Sequence, residues 1–192
     1  METWVLPGLL GLGLGLAAAS GLRTFLPLLM LSAAVHFELF GVTLNESMRW
    51  LGSTGALVAL SIATVVELTA DLIPFVDNAL SLIGNVTGPV AGVIATWAAF
   101  ADVDPSTAAI AGIVIGAPTA LAFSTAQTGT RAVSTASTDG LANPVVSTVE
   151  DVVSFVTSLI ALLLPLLVLP LLAFLLWFAW RGVQRVRRPR AS

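Results

Sequence analysis

The chain has 192 residues, of which 57% are hydrophobic and 10% charged, with a formal net charge of -3 and a mean hydropathy of +0.98. That is too apolar for a soluble domain of this size and predicts a polytopic membrane protein with the lipid bilayer as its main partner. Cysteine and lysine are both absent, which excludes disulfides, thiolate metal sites, cysteine nucleophiles and Schiff-base chemistry. No basic patch is interleaved with stacking aromatics, so nucleic-acid binding has no support.

In chain order, apolar segments fall at about 5 to 35, 54 to 83, 87 to 101, 107 to 137, 145 to 163 and 166 to 181, divided by Gly, Pro or charged residues. The first begins Met1-Glu2-Thr3-Trp4 with no basic flank, so we read it as a retained helix rather than a signal peptide. Spanning hydrocarbon takes about 20 residues, which leaves the third and sixth segments short. They are expected to be steep, re-entrant or joined to the preceding helix, with Pro165 and Pro170 as sources of a kink. All eight basic residues are arginines, and Arg181, Arg185, Arg187, Arg188 and Arg190 crowd the last twelve positions. The positive-inside rule places that tail in the cytoplasm, and six crossings then place the N-terminus there too. The short Asn-x-Ser/Thr matches at Asn45 and Asn85 carry no weight.

An internal repeat supports the six-segment count. Shifted by 80 positions, Val65, Val66, Asp71, Phe75, Val76, Leu82, Trp97 and Ala99 fall on Val145, Val146, Asp151, Phe155, Val156, Leu162, Trp177 and Ala179. A shift of 108 places Gly8, Ala18, Gly21 and Arg23 on Gly116, Ala126, Gly129 and Arg131. Two units of three segments insert in opposite orientations, the inverted-repeat plan of many transporters. We therefore expect an all-α transmembrane helical bundle divided into a first repeat at 1–101, a second at 102–181 and a basic tail at 182–192. Ridges of small residues, such as Gly11, Gly15 and Ala19, or Gly112, Gly116 and Ala120, favour close helix packing and invite self-association as a homodimer.

Function is sought among the charges, because a buried charge in a bilayer is costly and marks pathways, relays or ion pairs. Arg23 and Arg131 lie within apolar stretches. In segment two, Thr64, Glu67, Asp71, Pro74, Asn78 and Ser81 fall on one helical stripe with Asp77 at its edge, and segment five repeats the device with Ser147, Glu150, Asp151, Ser154 and Ser158. Two facing stripes would line a polar seam. Two arginines against Glu67, Asp71, Asp77, Glu150 and Asp151 leave an acidic surplus that could hold protons or a cation, with Asp71 and Asp151 as the candidate metal ligands. The structural alternative pairs Arg23 with Asp71 or Glu67, and Arg131 with Glu150 or Asp151. His36 is the single histidine and makes no metal site, and no Gly-x-Ser-x-Gly elbow is present. We expect no enzyme and no cofactor beyond a bound cation.

Three motifs in order, Gly21-Leu-Arg-Thr-Phe-Leu-Pro27, Glu67-Leu-Thr-Ala-Asp71-Leu-Ile-Pro74-Phe-Val-Asp77 and Arg131 with Asn143-Pro144, Ser147 and Glu150-Asp151, resemble the prokaryotic membrane family called domain of unknown function 4126. The resemblance implies a shared architecture, a prokaryotic cell membrane and a shared polar site, with Asn143 among its positions, but no activity. Ser124 and Gln127 stand where that family has more basic side chains, and Ser81 where it has an acid. The first expectation is a small transporter or channel for a cation, coupled to protons, in which the arginines tune the carboxylates. Its rivals are a non-transporting membrane scaffold whose charges are structural pairs, and an anion or zwitterion carrier that uses the arginines.

Overall fold

The computed structural model describes residues 5–70 and 74–187, except for the side chains of 74–82, 175–176, 178–180 and 182–187. Its helices are α1 (Val5–Leu22), α2 (Leu26–His36), α3 (Thr54–Ala70), α4 (Pro74–Ala99), α5 (Pro105–Ala111), α6 (Ala117–Thr138), α7 (Asn143–Leu163) and α8 (Pro165–Arg187). A 3₁₀ turn at Glu46–Gly52 precedes α3, and a π turn at Gly112–Gly116 joins α5 to α6. No strand occurs among the described residues, so the all-α expectation holds. Val5–Leu22, Pro105–Thr138 and Asn143–Leu163 are each long and apolar enough to cross a membrane, and the 3₁₀ turn with α3 forms a further candidate bent by 65°. Exposed Val58, Ile62 and Val65 on α3 and Val149, Val152 and Val156 on α7 turn an apolar outer surface to the surroundings, as a lipid-facing bundle requires.

The first apolar segment is not one crossing. Pro27 has no N–H to give, and its ring would strike the carbonyl of Arg23 four residues back, so the helix stops and restarts with Pro27 in the first turn of α2. The chain then reverses. His36 Nδ1 lies 2.9 Å from the Gly52 carbonyl and the Asn45 N–H meets the Ala98 carbonyl at 2.9 Å, while Glu67 thirteen residues beyond Thr54 returns to Thr24. Thus α1 and α2 form a helical hairpin with Arg23, Thr24 and Phe25 at its tip. At about 1.5 Å per residue α1 spans about 27 Å, and α4 and α6 both extend past the tip, so the tip lies within the bundle rather than at its end. The first apolar segment thus supplies one helix long enough to cross and a shorter one, Leu26–His36, in place of the single crossing counted from sequence.

The second and third segments also differ from expectation. The break predicted between 83 and 87 lies inside the uninterrupted α4. The sixth segment, read as short, is a 23-residue helix of its own, separated from α7 at Leu164, whose ψ of 61° is not helical. Comparing the halves, Arg131 lies in unbroken α6 whereas its counterpart Arg23 is at a hairpin tip. The sequence correspondence is therefore not matched by equivalent helix breaks.

Helix α1 is the axis of the bundle, packed by α4, α6, α7 and α8, and its small residues make this possible. A Cβ on Gly11 would collide with the Pro165 carbonyl, one on Gly21 with the Ala120 carbonyl, and one on Gly15 would sit 2.6 Å from the Ala161 methyl. Gly92 and Gly116 bring α4 and the π turn into backbone contact. The π turn also absorbs Pro118, which cannot donate to Val114 as a regular helix would require. These ridges, read from sequence as a route to self-association, are engaged within the chain.

The outer loop is fixed by fully buried Asn45, whose Nδ2 donates to the carbonyls of Phe100 and Val103, both at 2.8 Å. Replacing it with alanine strands two carbonyls, and Asn45→Ala is expected to destabilise the protein by about 2–3 kcal/mol, read as a lowered unfolding midpoint in detergent micelles. A midpoint unchanged from wild type would contradict this role.

Candidate functional site

The hairpin tip gathers charge from both sides. On one side stands α7, whose antiparallel run beside α1 is marked by Ser154 Oγ donating to the Ala19 carbonyl at 3.1 Å. One turn or two towards its start, the same face presents Glu150, Asp151 and Ser147 to Arg23. Arg23 Nε lies 2.5 Å from Asp151 Oδ1, and its Nη2 donates to the Ser147 carbonyl at 3.0 Å and Oγ at 2.6 Å. Arg131, arriving on α6, places Nη2 2.6 Å and Nε 3.1 Å from Glu150 Oε2. The same Oε2 lies 3.7 Å from Arg23 Nη2 and accepts from Gln127 Nε2 at 2.9 Å. Among the described residues, Arg23, Arg131, Glu150 and Asp151 thus form one connected cluster. Arg23, Arg131 and Glu150 are buried, and the Asp151 side chain keeps 32% exposure.

Gln127 also donates to the Leu22 carbonyl at 2.9 Å, one of the backbone acceptors left over where α1 ends. Sequence flagged this residue only as a departure from a more basic pattern. Here a neutral amide serves as the bridge between the end of α1 and Glu150.

On the other side of the tip stands α3. Phe25 occupies the N-cap position of α2 but provides no side-chain cap, so the first amides of that helix need an acceptor from elsewhere. Glu67 supplies it: Oε1 accepts from the Thr24 N–H at 2.7 Å and Oε2 from the Phe25 N–H at 3.1 Å. A carboxylate at a helix N-terminus gains from both charge-assisted hydrogen bonds and the helix dipole. Nearby, Thr24 Oγ1 meets Thr87 Oγ1 at 3.2 Å.

Between these groups lies a cavity of about 280 Å³ whose polar lining includes Arg23, Thr24, Glu67, Thr87, Gln127 and Arg131. Helix α2 packs against both α3 and α7; of the stripe expected in segment two, Thr64 and Glu67 lie on α3, and the side chains of Pro74 and Ser81 lie outside the described residues. The expected pairing of Arg131 with Glu150 is found. The expected pairing of Arg23 with Glu67 is not, because α7 reaches the guanidinium and Glu67 is held by backbone amides instead. Asp71 lies outside the described residues, as do the side chains of Asp77 and Asn78 on α4.

Other residues of the proposed seam have separate tasks. Asn143 Nδ2 donates to Thr135 Oγ1 at 3.1 Å and secures the turn from α6 to α7, where Gly140 adopts a φ of +84°. Ser154 binds α1, and Thr64 is buried on α3 with its hydroxyl lacking a hydrogen-bond partner. No group of three or more His, Cys, Asp or Glu able to hold a metal occurs among the described residues, and Asp151, a candidate ligand, is tied to Arg23.

Among known protein families, the model described as Domain of unknown function (DUF4126) matches residues 10–185. No curated protein and no solved structure matches the chain.

Proposed function

Since the chain belongs to the family of domain of unknown function 4126, whose description carries no activity, we propose from the site itself that this membrane protein is a proton-linked transporter. The observation that carries this reading is Glu67, a carboxylate that lines a cavity while holding the first amides of α2. A deprotonated Glu67 offers two anionic acceptors to Thr24 and Phe25. Once protonated, it converts one oxygen to a donor and weakens its hold on the tip. Proton occupancy and the geometry of the hairpin are thereby linked. Helix N-termini within a membrane protein, aimed at a site where backbone is interrupted, are a recurrent device of secondary transporters.

The cation of the sequence reading is then the proton, and its carrier is Glu67 rather than an acidic quartet. Glu150 and Asp151 pair with the two arginines and hold α1, α6 and α7 together. These ion pairs also favour a second reading, a non-transporting membrane scaffold, because buried charges paired in this way can be wholly structural. Proton flux separates the two. In vesicles containing the purified protein and an internal pH dye, a potassium ionophore with an outward potassium gradient, which makes the lumen negative, should acidify the lumen faster than in protein-free vesicles. Equal rates across the acidic and neutral range would overturn the transporter reading and leave the scaffold.

A further inference from the structure

We propose that a second cavity, at the opposite end of α1 from the hairpin tip, binds a monovalent alkali cation through backbone carbonyls where α4 and α7 end and through the Asp102 carboxylate. This site goes beyond the proton reading and does not involve Glu67.

The cavity measures about 290 Å³ and is bordered by the first turns of α1, the loop at 40–43, the end of α4 and the junction of α7 with α8. In its described lining only Thr43 and Asp102 bring polar side chains, and no arginine or histidine is among them. Other polarity there must come from the main chain. A helix points its carbonyls towards its C-terminus and leaves the last four without intrahelical donors. Two helices, α4 at Ala99 and α7 at Leu163, end on this space.

Several of these carbonyls are passed over by the donors around them. At the end of α4, the Val103 N–H goes to the Phe100 carbonyl at 3.3 Å rather than to Ala99, and the Asn45 N–H takes Ala98. Asn45 Nδ2 takes Phe100 and Val103, so neither Ala99 nor Ala101 receives a donor from it. A helical donor to Ala101 would come from residue 105, which is proline. The end of α7 behaves alike. Pro165 has no N–H to offer the Ala161 carbonyl, and Leu167, four residues beyond Leu163, donates to Leu164 at 2.9 Å instead. Ala99, Ala101, Ala161 and Leu163 all line the cavity, and Ala99 and Ala161 are fully buried. Buried carbonyls are nearly always paired, so acceptors gathered from two helix ends around one space call for a partner there. Asp102 and Thr43 are exposed, which opens the site to water, and the carboxylate adds the negative charge that favours a cation over a solvating water.

The donor set selects the ion. Calcium sites collect several carboxylates along with carbonyls, whereas here a single carboxylate joins neutral carbonyls. Carbonyls freed at helix breaks hold sodium in transporters, and rings of carbonyls hold potassium in channels. The cavity is several times the roughly 30 Å³ share of one liquid water, so the ion keeps part of its hydration shell.

The test uses the full chain purified in dodecylmaltoside micelles, with radioactive sodium and rubidium ions as probes in a choline chloride background, rubidium standing for potassium. One saturable site per chain is expected for at least one of the two, displaced by excess sodium or potassium chloride and at least tenfold less effectively by calcium chloride. Asp102→Asn should weaken binding at least tenfold, whereas Glu46→Gln, which alters an exposed carboxylate outside the described lining, should not. In wild-type protein carrying carbon-13 at its alanine carbonyls, the signals of Ala99, Ala101 and Ala161 should move when the bound ion is added and stay still with choline. Absence of saturable binding would show that water alone fills the cavity and would overturn the proposal. Equal weakening by Asp102→Asn and Glu46→Gln would reduce it to attraction by surface charge, and stronger displacement by calcium would reject a monovalent site. Unmoved carbonyl signals at saturating ion would place the binding elsewhere, and this readout decides the proposal on the wild-type chain even if a variant does not fold.

Discussion

Replacing Glu150 with leucine is expected to destabilise the bundle by about 3–5 kcal/mol, the cost of breaking a buried ion-pair network by removing one partner. Glu150 is the hub: one oxygen faces both arginines and accepts from Gln127. Its removal leaves two buried arginines without the carboxylate they share. A double change, Arg131→Met with Glu150→Leu, removes one charge of each sign and should regain most of the loss, since apolar replacements of similar size often match or exceed buried pairs. Asp151→Asn should cost less than Glu150→Leu, because the Asp151 side chain is one-third exposed and its charge is partly screened by solvent. Unfolding midpoints of the variants in one detergent check the order. A larger loss for Asp151→Asn than for Glu150→Leu would contradict the hub assignment.

Glu67 offers the second large effect, and the series Glu67→Gln and Glu67→Ala separates its two tasks. Each charge-assisted hydrogen bond to a backbone amide contributes about 1.5–3 kcal/mol. Alanine removes both acceptors and leaves the Thr24 and Phe25 amides without their partner from α3, so the tip should loosen and these two amides should exchange hydrogen faster. Glutamine retains one acceptor oxygen and should preserve much of that protection, yet it cannot carry a proton. A folded Glu67→Gln protein is therefore expected to lose proton flux at least tenfold, with hydrogen exchange at the tip much closer to wild type than in Glu67→Ala. If both variants exchange and conduct like wild type, Glu67 neither holds the tip nor carries the proton.

The class of the fold was plain in the composition, and the charged residues of the site were plain in their rarity among apolar neighbours. Arg131 with Glu150 could be paired from sequence, whereas the contact of Arg23 with Asp151 was not among the pairings expected for it. That contact depends on the reversal at residues 23–25, which places α7 beside the guanidinium and α3 beside the backbone amides. The signal for that reversal was present in Pro27 and Gly21, but an unbroken apolar run from 5 to 35 hid it, since lipid-facing and core-facing helices read alike in hydropathy. The same ambiguity put a break at 84–86, where Gly84, Asn85 and Pro89 look disruptive, although α4 continues through all three. Gln127 was legible only as an oddity, because its value lies in a carbonyl 105 residues away. The small-residue ridges were correctly located by their spacing, while their partners within the chain required the packed helices.

Proton-linked transport requires that a proton crosses through Glu67. The direct measurement is the initial rate of potential-driven acidification in dye-loaded vesicles bearing equal amounts of folded wild-type and Glu67→Gln protein, compared with protein-free vesicles. The prediction is a rate above background for wild type and a rate within a tenth of that excess for Glu67→Gln. Equal excess rates for the two proteins would contradict it.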